Sequence, residues 1–247
     1  MSIMKKLYKM KNLIFKRVLW LLMPLLTMFT VSAQGAANST SINGNAITGF
    51  GSGTNYTSGS FTSGDITIES NSGFSTTQFR VAKSKTMTIS TSVGKITKIV
   101  ITCSSTSYKF NSDALSYNNS VGTYENASGT TSVTFTNSNA NIARITKIEV
   151  TYGYLVTYDK NTGTGTMTDS NSPYAKNATV TVKNNGFTAP TGQTFNGWNT
   201  ASGGGGTSYA AGATFTITSD ITLYAQWASA GTSVSLTKAG QTNGSFL

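Results

Sequence analysis

The chain has 247 residues, of which 38% are hydrophobic and 11% charged, with 25 glycines, one cysteine and no histidine. Soluble domains average about 25% charged residues; here Ser, Thr, Asn and Gly fill the deficit, a β-prone, extracellular-looking composition with enough apolar residues for a core. The missing histidine excludes Ser-His-Asp and Cys-His catalysis and His-based zinc sites, and the lone Cys103 excludes an intrachain disulfide or a multi-thiolate metal site.

The first 17 residues carry Lys5, Lys6, Lys9, Lys11, Lys16 and Arg17 with no acid. An apolar run from Val18 to Val31, broken by Pro24, Thr27 and Thr30, leads into Val31-Ser32-Ala33. A basic segment, a short apolar run and small residues at −3 and −1 predict a secretory signal peptide over 1–33, cleaved between Ala33 and Gln34. The run is too short for a spanning helix, which needs about 20 apolar residues, so no transmembrane segment is expected in the mature chain. No cysteine follows the run to take a lipid. Six of the 18 basic residues leave with the signal, so the formal +10 becomes 12 bases against 8 acids, net +4. Those bases are scattered, with a mild cluster at 80–85, and nucleic-acid binding is not expected.

From about Asn38 to Tyr152, short Val/Ile/Thr/Phe/Tyr runs alternate with Gly/Ser/Asn turns, which predicts an all-β segment. The clearest strands are 65–69, 85–90, 95–103, 132–136 and 144–152, separated by turns such as Ser72-Gly73, Val93-Gly94 and Ser128-Gly129. Residues 96–103 (ITKIVITC) and 145–152 (ITKIEVTY) are near copies, identical at five positions. Period-2 alternation puts Ile99, Ile101 and Cys103 on one face and Ile148, Val150 and Tyr152 likewise, with Lys98, Lys147 and Glu149 facing water. Cys103 therefore reads as a small buried hydrophobe rather than a nucleophile. Seven or eight short strands over 34–153 suit one β-sandwich of two antiparallel sheets.

From Gly153 the texture changes to Tyr154-Leu-Val-Thr-Tyr158, Thr179-Val-Thr-Val182, Thr194-Phe-Asn-Gly-Trp198, the glycine run 203–206, and Ile221-Thr-Leu-Tyr-Ala-Gln-Trp227. Ile221, Leu223, Ala225 and Trp227 share one strand face. Val156-Thr-Tyr-Asp159, Phe195-Asn-Gly-Trp198, the glycine run with Tyr209 and Gly212, and Ser219 to Trp227 together resemble the Listeria-Bacteroides repeat, the B-repeat type of module, over 154–228. That resemblance implies a small β-grasp-like unit of exported and surface-attached bacterial proteins, a spacer or adhesive element without enzymatic activity. It carries Phe195, Gly197, Trp198, Tyr209, Leu223, Tyr224 and Trp227 over as structural positions. Trp198 and Trp227 belong in the core of so small a domain. Trp198, Tyr209 and Tyr224 are the candidate ligand contacts, with Tyr224, opposite Trp227, the preferred exposed ring. The sandwich segment also resembles, more distantly, the β modules appended to secreted Bacteroidetes hydrolases and nucleases. Residues 229–247 read as a linker and the first strand of a further, truncated β unit.

The eight carboxylates offer no catalytic pair. Asp65 and Glu69, the nearest neighbours, lie about 13 Å apart along a strand rising ~3.3 Å per residue, against the ~5–9.5 Å of a glycosidase dyad. They read as solvated, with a structural Ca²⁺ as a lesser alternative. The glycine run lacks the Lys-Ser/Thr of a phosphate loop and reads as a flexible loop. No catalytic residue, metal ligand or cofactor is expected. The expected function is a non-catalytic exported or cell-surface protein that binds glycans or host proteins through its β modules. The alternative is an accessory or spacer part of a longer secreted hydrolase or nuclease.

Overall fold

The computed structural model describes residues 37–47, 58–72, 74–75 and 78–231. The predicted signal, the Ala33–Gln34 cleavage point and residues 232–247 of the tail lie outside the described residues. The described chain is all-β: 17 strands and two short 3₁₀ turns. No described helix is long and apolar enough to cross a membrane.

The larger sheet of the N-terminal segment contains β1 (Asn38–Asn43), β4 (Phe74–Ser75), β5 (Gln78–Val81), β7 (Lys95–Cys103), β8 (Ser116–Asn118), β9 (Val121–Thr130) and β11 (Ala143–Gly153), in the order β4-β5-β11-β7-β9-β8 with β1 also on β11. The second sheet, β10-β6-β3-β2, is built from β2 (Gly59–Ser63), β3 (Ile66–Ser70), β6 (Thr86–Thr91) and β10 (Ser132–Thr136). All their pairings are antiparallel. Ile66, Ile68, Met87, Ile89 and Phe135 from one sheet and Phe79, Ile99, Ile101, Ile148 and Val150 from the other enter one continuous buried core. Phe110 and Tyr124 both meet Phe135 edge-on, at 6.3 and 5.8 Å between centroids.

The near-copy strands are neighbours, β7 against β11, and their shared Ile-Thr-Lys-Ile explains a departure from strict alternation. Ile96 and Ile99 are both buried, as are Ile145 and Ile148, although an odd spacing of three puts two residues on opposite faces of a regular strand. The register skips Thr97 between Ile96 and Lys98, and skips Thr146 between Ile145 and Lys147. Each strand therefore carries one β-bulge, whose extra residue reverses the phase. Each skipped threonine hydroxyl donates across the pair, Thr97 Oγ1 to the Thr151 carbonyl at 3.5 Å and Thr146 Oγ1 to the Thr102 carbonyl at 3.1 Å. Beyond the bulges the expected faces hold: Ile99, Ile101, Cys103, Ile148, Val150 and Tyr152 point inward. Lys147 Nζ meets Glu149 Oε1 at 2.7 Å on the opposite face.

Cys103 is buried, and its sulfur accepts the Phe110 N–H at 3.2 Å. Burial pushes its thiol up to about 11, partly offset by that hydrogen bond. The unfolded thiol ionises near 9, so the native preference for the protonated form adds stability that is complete below pH 9 and lost as pH rises toward 11. The loss reaches about 2–3 kcal/mol at 1.36 kcal/mol per unit. Urea midpoints taken from pH 8 to 11 should fall over this interval, with less fall in Cys103→Ala.

Asparagines fasten the segment between β10 and β11. Asn137 is buried; its Nδ2 donates to the Val81 carbonyl at 2.8 Å, and its Oδ1 accepts the N–H of Asn111 and of Asn139. Asn139 Nδ2 donates to the Lys109 carbonyl at 2.9 Å and Asn141 Nδ2 to the Ser107 carbonyl at 3.1 Å. The loop 105–111 is thereby held at the end of β11.

Past Gly153 a second core forms. Its main sheet runs β12 (Val156–Asp159), β17 (Ile221–Ser229), β14 (Gln193–Asn199) and β15 (Ser208–Tyr209), with β12 parallel to β17 and the other pairs antiparallel. A ribbon of β13 (Thr179–Thr181) and β16 (Thr214–Thr216) lies apart from this sheet in pairing. Val180, Val182, Ile217, Leu223, Ala225 and Tyr174 are buried in the common core, so the first and last strands pair side by side and an irregular layer covers one face.

The two cores meet without slack. A Cβ on Gly94 would stand 2.2 Å from the Gly153 carbonyl oxygen, and one on Gly153 would stand 2.3 Å from that of Tyr174. Tyr154 and Tyr174 exchange backbone hydrogen bonds, both 2.8 Å, and Tyr154 packs against both cores. Lys95 Nζ reaches Asp220 Oδ2 at 3.3 Å across the junction, while Asp220 Oδ1 accepts the Leu155 N–H at 2.9 Å.

Candidate functional site

The Phe-Asn-Gly-Trp segment of β14 repeats the bulge device in a different chemistry. Phe195 pairs with Trp227 and Trp198 with Ala225, and the register shifts between them. Gly197 has φ +109°, a conformation glycine adopts freely, and the bulge brings Phe195 and Trp198 to the same inner face. Trp198 is 1% exposed. Its ring meets Tyr158 at 4.8 Å, Phe195 at 5.0 Å and Phe187 at 6.1 Å, all edge-on, and its Nε1 donates to the Lys183 carbonyl at 2.9 Å. Trp198 is therefore a core anchor; as a ligand contact it is corrected, since a ring enclosed by three others presents no face to a ligand. Trp227 extends the cluster through Phe195, at 5.8 Å, and its Nε1 donates to the Lys160 carbonyl at 3.1 Å.

The glycine run is not a free loop. Asn199, 1% exposed, sits at its root: Nδ2 donates to the carbonyls of Gly204 and Gly206, both at 3.1 Å, and to Ser208 Oγ at 2.9 Å. Its Oδ1 accepts the N–H of Ala201 and Gly206 at 2.8 and 2.9 Å. Asn161 Nδ2 donates to the Ser202 carbonyl at 2.8 Å, and Gln226 Nε2 reaches the same carbonyl at 3.4 Å. Three carboxamides from three parts of the chain thus clamp the loop, and glycine is needed where it turns: Gly204 has φ +78°, and a Cβ on Gly206 would lie 2.2 Å from Thr200 Oγ1. Expectation of flexibility from composition missed this, because the clamping residues are remote in sequence. Asn199→Ala should destabilise the module by about 1–3 kcal/mol through the orphaned amides and carbonyls. Limited proteolysis should then cut within 201–206, where the parent chain resists.

Tyr224 pairs with Asn199 on one side and Asp159 on the other, on the sheet face away from the core, and is half-buried. It is the outward ring of the three candidates. Tyr209 pairs with Trp198 in register, and its ring leans on Phe215 at 4.9 Å, which leaves it half-buried.

A cleft of about 510 Å³ opens at the junction of the two cores. Lys95, Ala127 and Ser128 form the sandwich side; Leu155 to Tyr158, Met167 to Asp169, Ser172 and Asp220 to Thr222 form the other. Asp169 organises the wall: its carboxylate, wholly buried, accepts the Tyr174 hydroxyl at 2.8 Å and the Asn171 N–H at 3.0 Å, and Lys183 Nζ lies 3.4 Å away. Burial first, and then this carboxylate, raises the Tyr174 phenol well above its ordinary range. Ser172 Oγ accepts the Val156 N–H at 3.1 Å. With Asp169 buried in its own wall, the cleft offers the part-exposed Lys95–Asp220 pair and several hydroxyls beside the aliphatic Ile221 and Met167. Sequence spacing shows no sign of it, because Lys95, Asp169 and Asp220 come from distant segments. Asp65, by contrast, accepts the Tyr152 hydroxyl at 3.2 Å, and among the described residues no three His, Cys, Asp or Glu side chains gather as a metal site.

Fold and cleft define a two-core, all-β chain with a mixed-sheet module packed on a sandwich. Residues 154–226 match the family model of the Listeria-Bacteroides repeat domain, the module that the Phe-Asn-Gly-Trp and Leu-Tyr-Ala-Gln-Trp segments resemble. This repeat points to a surface or extracellular β-domain protein. No curated protein and no solved structure matched the chain.

Proposed function

We propose that the protein is an exported, non-catalytic surface protein that binds a glycan, with the junction cleft as its site. The cleft carries this reading: hydroxyls and the part-exposed Lys95–Asp220 pair beside short aliphatic walls suit a polyhydroxylated ligand, whose groups both donate and accept. Ligand pockets favour such domain junctions, and the repeat over 154–226 places the module among surface-type domains. The mature full-length chain should bind selectively on a glycan array. Thr222→Arg, which drives a long side chain into the cleft, should abolish that binding without shifting the unfolding midpoint. Loss on Tyr224→Ala alone would move the site to the outer sheet face, and silence of the parent chain on every glycan would refute the reading. The tight Gly94–Gly153–Tyr174 junction supports a second reading, a spacer that holds its neighbours at fixed orientation; it fits a folded chain with no ligand.

A further inference from the structure

Arg80 and Arg144 are direct cross-strand partners in the antiparallel pairing of β5 with β11. Such partners project from one face with Cβ atoms about 4.5–5.5 Å apart, where like charges repel. Their chain neighbours Phe79, Val81, Ala143 and Ile145 are buried in the sandwich core, so both arginines point to the outer face of the larger sheet. The Nε of each is buried and has no hydrogen-bond partner. Among the described residues the four ion pairs all use lysines, and none engages either guanidinium. The Tyr108 ring lies 3.8 Å from the Arg144 guanidinium carbon, on the loop that Asn139 and Asn141 hold in place. Stacking occupies the flat face of a guanidinium and leaves its in-plane donors for an acceptor.

Two cations with no ion-pair partner, side by side, repel when the site is empty, and a single oxyanion accepting from the outer guanidinium nitrogens of both relieves that repulsion. We propose that Arg80, Arg144 and Tyr108 form a binding site for an oxyanion carried on an acidic polysaccharide, a sulfate ester or a uronate carboxylate. Two guanidinium forks and one ring match one such group at a time; a nucleic acid calls for a longer stripe of cations along its phosphates, and beyond the mild cluster at 80–85 the bases of 34–247 are scattered. The site lies on the sandwich alone and does not depend on the junction cleft or its glycan.

The test is calorimetric titration of the mature full-length chain, at fixed ionic strength, with a heparin-derived tetrasaccharide, inorganic sulfate, a neutral dextran oligomer and a single-stranded DNA oligomer. The tetrasaccharide should bind more tightly than sulfate, and dextran should not compete. Arg80→Gln and Arg144→Gln should each weaken the tetrasaccharide by about tenfold or more, as expected for loss of a charge-assisted fork. Lys98→Gln, which removes an exposed, Glu125-paired cation elsewhere on the same sheet, should change affinity less than about twofold, as a remote screened charge would. With no ligand present, Arg80→Gln should unfold at the same or a higher midpoint than the parent, because it removes a like-charge contact. Undiminished affinity in both arginine variants, equal weakening by Lys98→Gln, DNA binding as tight as the tetrasaccharide, sulfate binding without the tetrasaccharide, or a marked fall of the ligand-free Arg80→Gln midpoint would each overturn the proposal.

Discussion

Trp198→Ala should lower the stability of the repeat module by about 3–5 kcal/mol, the range for removing a large buried aromatic. The side chain is 1% exposed, touches three rings and satisfies the Lys183 carbonyl, so its loss leaves a cavity and an unpartnered acceptor. Residues 34–247 carry probes for each half: their tryptophans are Trp198 and Trp227, both in the module, while the lone thiol, Cys103, lies in the sandwich core. Urea unfolding followed by Trp227 fluorescence should therefore shift far below the parent, with the midpoint for Cys103 reaction with a thiol reagent shifting little. A common shift of both probes would mean that the two cores unfold as one cooperative unit.

Gly94→Ala should cost about 2–5 kcal/mol, combining a left-handed backbone, roughly 1–2 kcal/mol, with overpacking of typically 1–3 kcal/mol. Gly94 has φ +61°, and its new Cβ would stand 2.2 Å from the Gly153 oxygen and 2.8 Å from the Tyr154 nitrogen. Backbone at both positions has little room to yield, because Gly153 in turn abuts the Tyr174 carbonyl. Gly64→Ala separates the two contributions: Gly64 has φ +60° with nothing within 4 Å of the added Cβ, so it bears the backbone cost alone. The thermal midpoint should fall further for Gly94→Ala than for Gly64→Ala. Proteolysis near 153–155 should accelerate only in the former, as the junction is pried apart.

Much of this architecture is legible residue by residue. Strands expected at 95–103 and 132–136 are found at those bounds, since Val, Ile, Thr and Phe alternating between Gly/Ser turns fit a half-buried pleated surface. Cys103 among isoleucines reads as core and is core. The likeness of 154–228 to a known repeat survives because aromatic residues at fixed spacing are needed to fill so small a core. The bulges are half-legible: Ile-Thr-Lys-Ile and Phe-Asn-Gly-Trp both place large apolar residues three apart inside a strand, a spacing that makes sense only if one residue is looped out. Alternation alone does not say on which side of such a bulge Trp198 emerges.

The sequence by itself determined the all-β class, the change of texture near Gly153 and the repeat module, because these follow from local alternation, turn chemistry and aromatic spacing. Only the tertiary structure decided that the glycine run is clamped by Asn161, Asn199 and Gln226, that Lys95 and Asp220 close one end of a cleft, and that Arg80 stands directly opposite Arg144. Each of these depends on strand register and on packing between segments far apart in the chain, and a shift of one residue in any pairing would send the same side chains to the opposite face.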